Sequence, residues 1–98
     1  MNVISFRALR DFYERHPPAR KAMIAWHKDV CAARWRNWSD VKADYASADA
    51  VGDDRVVFDI GGNKYRIVAR VAYAPYFRVM IKFVGTHAEY DRIDARSV

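Results

Sequence analysis

The sequence has little of what several classes of protein depend on. Its single cysteine, Cys31, excludes an internal disulfide and a multi-thiolate site, which favours a reducing compartment such as the cytoplasm. Its four glycines include Gly61-Gly62, but without the spacing of a nucleotide-binding loop. No stretch approaches the roughly 20 apolar residues of a membrane-spanning helix, and the charged start does not resemble a signal peptide. Secreted, membrane and nucleotide-cofactor proteins are therefore disfavoured.

The residues that are abundant indicate one small domain with an acidic partner. A chain of 98 residues has room for one hydrophobic core, and 52% hydrophobic residues suffice to build it. We therefore expect residues 1–98 to form a single domain. Seventeen Lys and Arg residues against twelve Asp and Glu leave a net charge of +5, and twelve of the seventeen are arginine. Because arginine suits paired contacts with phosphate, the composition favours nucleic acid or an acidic protein segment as partner.

Helical spacing of apolar residues dominates the first part of the chain. The pattern predicts a short strand at Asn2–Ile4, and then a helix that Ser5 caps and that ends near His16. Pro17-Pro18 interrupts it, and a second helix is predicted from Ala19 to about Trp35.

Between residues 37 and 54 the composition shifts to Asp, Ser, Ala and Lys. Ser39-Asp40 predicts the cap of a short helical turn, followed by an irregular, partly mobile connector around Gly52-Asp53-Asp54. Cys31, inside the second predicted helix, is expected to be a small buried residue.

The second half of the chain alternates with period two, which predicts strands. They run from Arg55 to Ile60, Lys64 to Tyr73 and Tyr76 to Val84, and form a meander. Thr86, with Glu89 three residues later, predicts a capped closing helix. The expected fold class is therefore α+β, with two N-terminal helices packed on one face of a twisted, mainly antiparallel sheet and a short C-terminal helix.

The alternation separates an apolar face of the sheet from a basic one. The apolar face, expected to pack on the helices, collects Val56, Phe58, Ile60, Tyr65, Ile67, Ala69, Val71, Phe77, Val79, Ile81 and Phe83. The opposite face collects Arg55, Val57, Asp59, Lys64, Arg66, Arg70, Arg78, Met80 and Lys82. Five of these are Lys or Arg on two adjacent strands that contribute no carboxylate. Because like charges destabilise a strand pair, a polyanion is expected to compensate them, with ordinary solvation as the alternative.

Three residues could supply metal-free cleavage of RNA. That reaction needs a group that takes a proton from the 2′-hydroxyl, a cation near the phosphorane, and an acid for the departing 5′-oxygen. Arg66 lies on the basic face, while His87 and Tyr90 share one side of the closing helix. Each also has an ordinary explanation as a surface or core residue. No cluster has metal-ligand spacing, so neither a metal nor another cofactor is expected.

Two segments carry a resemblance to a known family. VVFDIGGNKYRIV at Val56–Val68 and FVGTHAEYD at Phe83–Asp91 closely resemble HigB-type toxins, mRNA interferases of the RelE/ParE superfamily in bacterial type II toxin–antitoxin systems. The opening Ile4–Glu14, the tryptophans at 26 and 35 and Ser39–Lys42 are also similar to that family. The likeness covers nearly the whole chain.

The resemblance implies a RelE-like fold and a ribosome-dependent endoribonuclease that cuts translated mRNA through the 2′-hydroxyl without a metal. Arg66 would stabilise the phosphate, His87 would transfer a proton to the 5′-oxygen, and Tyr90 would orient the nucleotide or assist proton transfer. The expected RNA contacts are Lys64, Arg70, Arg78 and Lys82. The chain lacks the dense lysine set of the RelE subgroup, so the division between acid and base stays open.

The implied partners are the ribosome, mRNA and a HigA-like antitoxin with a helix-turn-helix segment. Membrane and small-molecule partners are not expected. Two other functions stay open: a ParE-like toxin that inhibits DNA gyrase, and a non-catalytic module that binds RNA or the ribosome. The combination of His87, Tyr90 and Arg66 favours the nuclease, because the gyrase-binding members generally lack it.

Overall fold

In the computed structural model, which describes residues 1–98, a short first strand is followed by three helices, then by four strands and a closing helix. The strands are β1 (Asn2–Ile4), β2 (Asp49–Gly52), β3 (Arg55–Ile60), β4 (Tyr65–Ala72) and β5 (Arg78–Thr86). The helices are α1 (Phe6–Arg15), α2 (Arg20–Ala32), α3 (Trp38–Asp44) and α4 (His87–Tyr90). One mixed sheet has the order β1-β5-β4-β3-β2, in which only the β1–β5 pair is parallel. The fold class is therefore α+β, as predicted, and β3, β4 and β5 form the predicted meander.

The second helix is shorter than predicted at both ends. Ala19 belongs to a 3₁₀ turn over Pro17–Ala19, and α2 ends at Ala32 because Ala33 has extended backbone angles. Trp35 lies beyond the helix, where its ring stacks on that of Phe58 and its Nε1 donates a hydrogen bond of 2.9 Å to Asp44. The chain therefore leaves the helix before Trp35, and the Trp35 indole is buried in the core. None of the helices has the length and apolar character needed to cross a membrane.

The connector contains the predicted helical turn and an irregular stretch in which Gly52, Asp53 and Asp54 have positive φ angles, but its cap was wrongly assigned and the strand β2 was not predicted. Residues 38–44 form α3, whose N-cap is Asn37 and not Ser39-Asp40, since the Asn37 side chain accepts the N–H of Asp40 at 3.1 Å. Farther on, β2 pairs antiparallel with β3 and forms one edge of the sheet. The open edge of β3 supplies the hydrogen bonds that this short polar segment cannot provide alone.

The core lies where side chains from the helices and the sheet meet. Trp26 of α2 and Phe58 of β3 are both buried, with ring centroids 5.3 Å apart. The same cluster contains Leu9, Phe12, Met23, Val30, Trp35, Val41, Val56, Ile60, Ile67, Ala69, Val71 and Val79. Cys31 was predicted to be buried but is exposed, because it lies one residue beyond Val30 and therefore about 100° around α2 from the buried stripe.

A β-bulge changes which residues of β5 face the core. Val68 pairs with Phe83 while the next residue, Ala69, pairs with Ile81, so Lys82 is the extra residue. Beyond the bulge the alternation reverses. Phe83 therefore packs on the opposite face with Val57 and Val68, contrary to the prediction, and Val84 packs against the main core.

Candidate functional site

The start of β4 and the end of β5 bring the residues of the second half together. Tyr65 is in register with Thr86, and Arg66 with Gly85. Because α4 begins directly after β5, its first residue lies beside the β3–β4 turn, where the His87 N–H donates to the Lys64 carbonyl at 3.0 Å. The register of the sheet thus places Lys64, Arg66 and α4 at one end of the molecule.

Thr86 and Glu89 form the predicted capping box at the start of α4. The Glu89 N–H donates to the Thr86 hydroxyl at 3.2 Å, and the Thr86 N–H donates to the Glu89 carboxylate at 2.9 Å. The hydrogen bond from the Thr86 backbone N–H is the main cause that lowers the pKa of Glu89, with smaller contributions from the Thr86 hydroxyl, His16 and Arg15. The charged carboxylate therefore holds the turn that carries His87.

Gly85 permits a close approach between β5 and α4. A Cβ at this buried position would lie 2.5 Å from the Phe83 ring and 3.2 Å from the Cβ of Glu89. Such contacts are far inside van der Waals distance, so any side chain here would displace the ring. With glycine, the Phe83 ring meets that of Tyr90 at a centroid distance of 6.5 Å.

Arg66 is the one charged residue that is buried, at 7% exposure. Its Nη1 donates to the carbonyls of Asn63 and Tyr65, at 3.1 and 3.2 Å, and its Nη2 donates to the Asn63 side chain at 2.6 Å. Its Nε lies 3.0 Å from Oδ1 of Asp59, the residue opposite it on β3. Three of the five guanidinium N–H groups are thus used in hydrogen bonds, and the charge is paired.

Tyr90 covers the guanidinium of Arg66. The Cζ atom of Arg66 lies 5.7 Å from the centroid of the Tyr90 ring, within the range of a cation–π interaction. The ring is half-buried and packs against a small second cluster formed by Val57, Val68 and Ala95. Tyr90 therefore has a packing role in addition to any contact with a substrate.

His87 is oriented by a carboxylate that sequence reasoning missed. Its Nδ1 lies 3.1 Å from Oδ2 of Asp91, one helical turn away. Both side chains are largely in water, 47% and 61% exposed. The i, i+4 spacing of the pair was the signal that could have identified it. With Nδ1 engaged, Nε2 is the nitrogen left to exchange a proton with a bound molecule.

The predicted basic residues do not form one patch. Lys64 is exposed, takes part in no ion pair and lies beside His87. Arg70 is four residues along β4 from Arg66, about 13 Å away at the usual strand rise, and Arg78 lies beyond it opposite Ala72. Lys82 is exposed at the bulge between the two ends.

As the sequence indicated, β4 and β5 contribute no carboxylate to the basic face, but two carboxylates from outside these strands partly compensate it. Asp59 pairs with Arg66, and Asp54 lies 4.0 Å from Arg70. Val68, between these two arginines on the same face, is buried by residues of the carboxyl-terminal segment such as Ala95. Of the predicted basic residues, those without a carboxylate partner are therefore Lys64 at one end of the sheet, Arg78 at the other and Lys82 between them.

The geometry suits proton transfer next to a phosphate. An exposed imidazole with one nitrogen held by a carboxylate can give or take a proton, and Lys64 adds an unpaired cation nearby. No three His, Cys, Asp or Glu side chains converge as a metal ion would require.

Comparisons with known proteins agree with these features. Residues 19–93 match the family described as HigB_toxin, RelE-like toxic component of a toxin-antitoxin system. The chain is 31% identical, over 93 residues, to proteins named mRNA interferase toxin HigB from Escherichia coli strain K12 and mRNA interferase HigB from Escherichia coli O157:H7 and Shigella flexneri. These alignments cover 93% of this chain and 88% of each relative. The chain therefore belongs to the HigB toxin family, the RelE-like toxic component of a toxin–antitoxin system, which implies an antitoxin as its partner.

Proposed function

We propose that residues 1–98 form a single RelE-like toxin domain that acts in the cytoplasm as a ribosome-dependent, metal-free endoribonuclease on translated mRNA. The relatives that align with 93% of the chain are mRNA interferases by name, which supports this activity. The observation that carries the proposal is the His87–Asp91 pair beside Lys64 and the buried Arg66. A gyrase-binding surface or a purely structural site has no need of an exposed, oriented imidazole.

In the proposed reaction the 2′-oxygen attacks the adjacent phosphorus while its proton passes to a base. The bond between phosphorus and the 5′-oxygen breaks, and an acid gives that oxygen a proton. The products are a 2′,3′-cyclic phosphate and a 5′-hydroxyl. His87 Nε2 is the proposed proton donor, because Asp91 engages Nδ1 and holds the ring in one orientation. Tyr90, packed on Arg66, orients the nucleotide or assists the transfer.

The positive charge near the phosphate is divided between two side chains. Arg66 is paired with Asp59 and mostly saturated, so its proposed contribution is a fixed local field and the placement of Tyr90. Lys64 is unpaired and in water, so we assign it the direct contact with a phosphate oxygen. Arg70, Arg78 and Lys82 are proposed to contact RNA farther from the reacting phosphate.

The proposed antitoxin is a HigA-like protein with a helix-turn-helix segment. A net charge of +5 on 98 residues favours fast capture by an acidic partner.

Expression of the chain alone, followed by mapping of mRNA ends, tests the proposed function. We expect growth arrest with new 5′-hydroxyl ends inside coding regions, and restoration of growth by the cognate antitoxin. His87→Ala should remove these ends, since loss of a general acid or base typically costs about a hundredfold or more. His27→Ala is the matched control, because His27 lies in α2, where its ring packs on that of Phe6 from α1, and it is not part of the proposed site. Arrest with intact mRNA and altered DNA supercoiling would favour the gyrase alternative.

A further inference from the structure

A groove of about 530 Å³ lies at the end of the sheet away from His87, between β4, β5 and the loop that joins them. Ala72 and Met80 contribute apolar surface, Arg70 and Arg78 flank it, and Tyr76 comes from the loop. Arg70 is in register with Met80 and Ala72 with Arg78, so these four residues share the face of the sheet that carries Arg66.

Tyr76 is the most exposed large apolar side chain of the protein, at 68% exposure. Its loop is nevertheless ordered by its backbone, because the N–H groups of Tyr76 and Phe77 both donate to the Tyr73 carbonyl, at 2.9 and 3.3 Å. Phe77, the residue after Tyr76, is also held, because the Arg34 guanidinium lies 4.3 Å from the centroid of its ring. The loop backbone is thus fixed by hydrogen bonds, whereas the Tyr76 ring is exposed to water and contributes little to the core.

The groove has an excess of free positive charge. Arg78 is exposed and takes part in no ion pair. Arg70 has only Asp54 at 4.0 Å, and the two side chains are 47% and 67% exposed, so water and salt screen the pair. An exposed aromatic ring in the same groove as two weakly compensated arginines matches single-stranded nucleic acid, in which bases stack and phosphates need cations.

We propose that this groove binds the RNA strand that the toxin cleaves, several nucleotides from the reacting phosphate. Tyr76 stacks on a base, and Arg70 and Arg78 contact the flanking phosphates. The inference rests on the proposed function, since it names a second contact for the same substrate. Arg66 and Arg70 are about 13 Å apart along β4. Because the carboxyl-terminal segment covers Val68 between them, the proposed path of the strand follows β5, where Lys82 is exposed between the site and the groove.

Fluorescence anisotropy with a labelled 12-nucleotide RNA, 2′-O-methylated throughout so that it cannot be cleaved, tests the groove directly. We expect Tyr76→Ala to weaken binding about 5- to 100-fold, the usual effect of losing one stacked base, and Tyr76→Phe to bind like the natural chain. Arg78→Ala should reduce the slope of log affinity against log salt by about 0.7, the value for one phosphate contact on a single strand. Arg7→Ala on α1, also exposed, is the control and should change neither.

Further arms separate this inference from the proposed function. A three-nucleotide RNA cannot span the site and the groove, so Tyr76→Ala should then lose less affinity than with the 12-mer. Unchanged binding of the 12-mer by folded Tyr76→Ala would overturn the inference. So would a Tyr76→Ala variant that loses affinity only for ribosomes without mRNA, or only for the antitoxin. His87→Ala should bind the 12-mer normally, so a failure of cleavage leaves this measurement intact.

Discussion

Replacement of Arg66 by alanine should damage the fold as well as any chemistry. The change removes a 3.0 Å ion pair with Asp59, three hydrogen bonds and the contact with the Tyr90 ring. A hydrogen bond contributes about 0.5–1.5 kcal/mol and a cation–π contact about 0.5–1 kcal/mol. Water can reach the exposed Asn63, but the Asp59 side chain is only 30% exposed and would lose its partner. We therefore expect Arg66→Ala to lower the free energy of unfolding by about 2–4 kcal/mol.

Thermal and urea denaturation measure this loss. For a domain of this size, each kcal/mol lowers Tm by about 4–8 °C, so Arg66→Ala should melt roughly 10–30 °C below the natural chain. Arg70→Ala is the matched control for stability, because Arg70 lies on the same strand and face but is exposed and only loosely paired. Arg70→Ala should change the free energy of unfolding by no more than about 0.5 kcal/mol.

Arg66→Lys separates stability from cleavage, because it keeps the charge beside Asp59 but cannot reproduce the planar set of donors. We expect a smaller loss of stability and measurable cleavage at a temperature at which the variant is folded. If Arg66→Ala melted like Arg70→Ala and yet cleaved no RNA, the guanidinium would be free to bind phosphate, and the reasoning from its five contacts would be wrong.

Three further predictions concern other residues. Asp91→Ala should lower the cleavage rate about two- to tenfold, the equivalent of one exposed hydrogen bond, with Asp94→Ala as control in single-turnover assays. Burial, together with Asp29 and Asp44, raises the pKa of Tyr45, so the folded state keeps this proton more tightly and stability should fall as the pH rises above 10. Tyr45→Phe should reduce that loss in urea titrations at pH 7 and 10.5. Part of it should remain, because burial and Asp54 also raise the pKa of Tyr73. An unchanged alkaline loss in Tyr45→Phe would contradict this. The pKa of Glu89 is lowered in the folded protein, so the carboxylate stabilises the α4 cap above the usual pKa of 4.5. This stabilisation should be lost as the pH falls through the pKa of Glu89 in the folded protein. NMR shifts of the α4 amides should show the loss, and the Glu89→Gln variant should not show it.

The parts of the fold that the sequence predicted are those with a strong local signal. The period-two alternation located β3 and β4, and the spacing of Thr86 and Glu89 predicted the capping box. The signal of β2 was too weak, because a strand of four residues with only Val51 half-buried forms when the edge of β3 is available to pair with it. A single sequence carries no direct record of that neighbour.

The bulge at Lys82 marks another limit of sequence reasoning. Apolar residues occupy almost every position from Val79 to Val84, so the pattern is compatible with either register. Only the pairing of Val68 with Phe83 and of Ala69 with Ile81 decides which side chains face the helices. The same need for register hid the pairing of Arg66 with Asp59, whereas the His87–Asp91 pair was readable from its spacing alone.

The position of His87 depends on contacts outside its own helix. A four-residue helix is not stable in isolation, so α4 is held by three tethers: its capping box, the hydrogen bond from the His87 N–H to the Lys64 carbonyl, and the packing of Tyr90 on Arg66. The Lys64 tether uses only the backbone, which leaves its side chain free for a phosphate. The Tyr90 tether uses the guanidinium of Arg66, which Asn63, Tyr65 and Asp59 also hold. In the proposed site Arg66 thus supports the helix, and the exposed Lys64 is the cation proposed to contact the substrate.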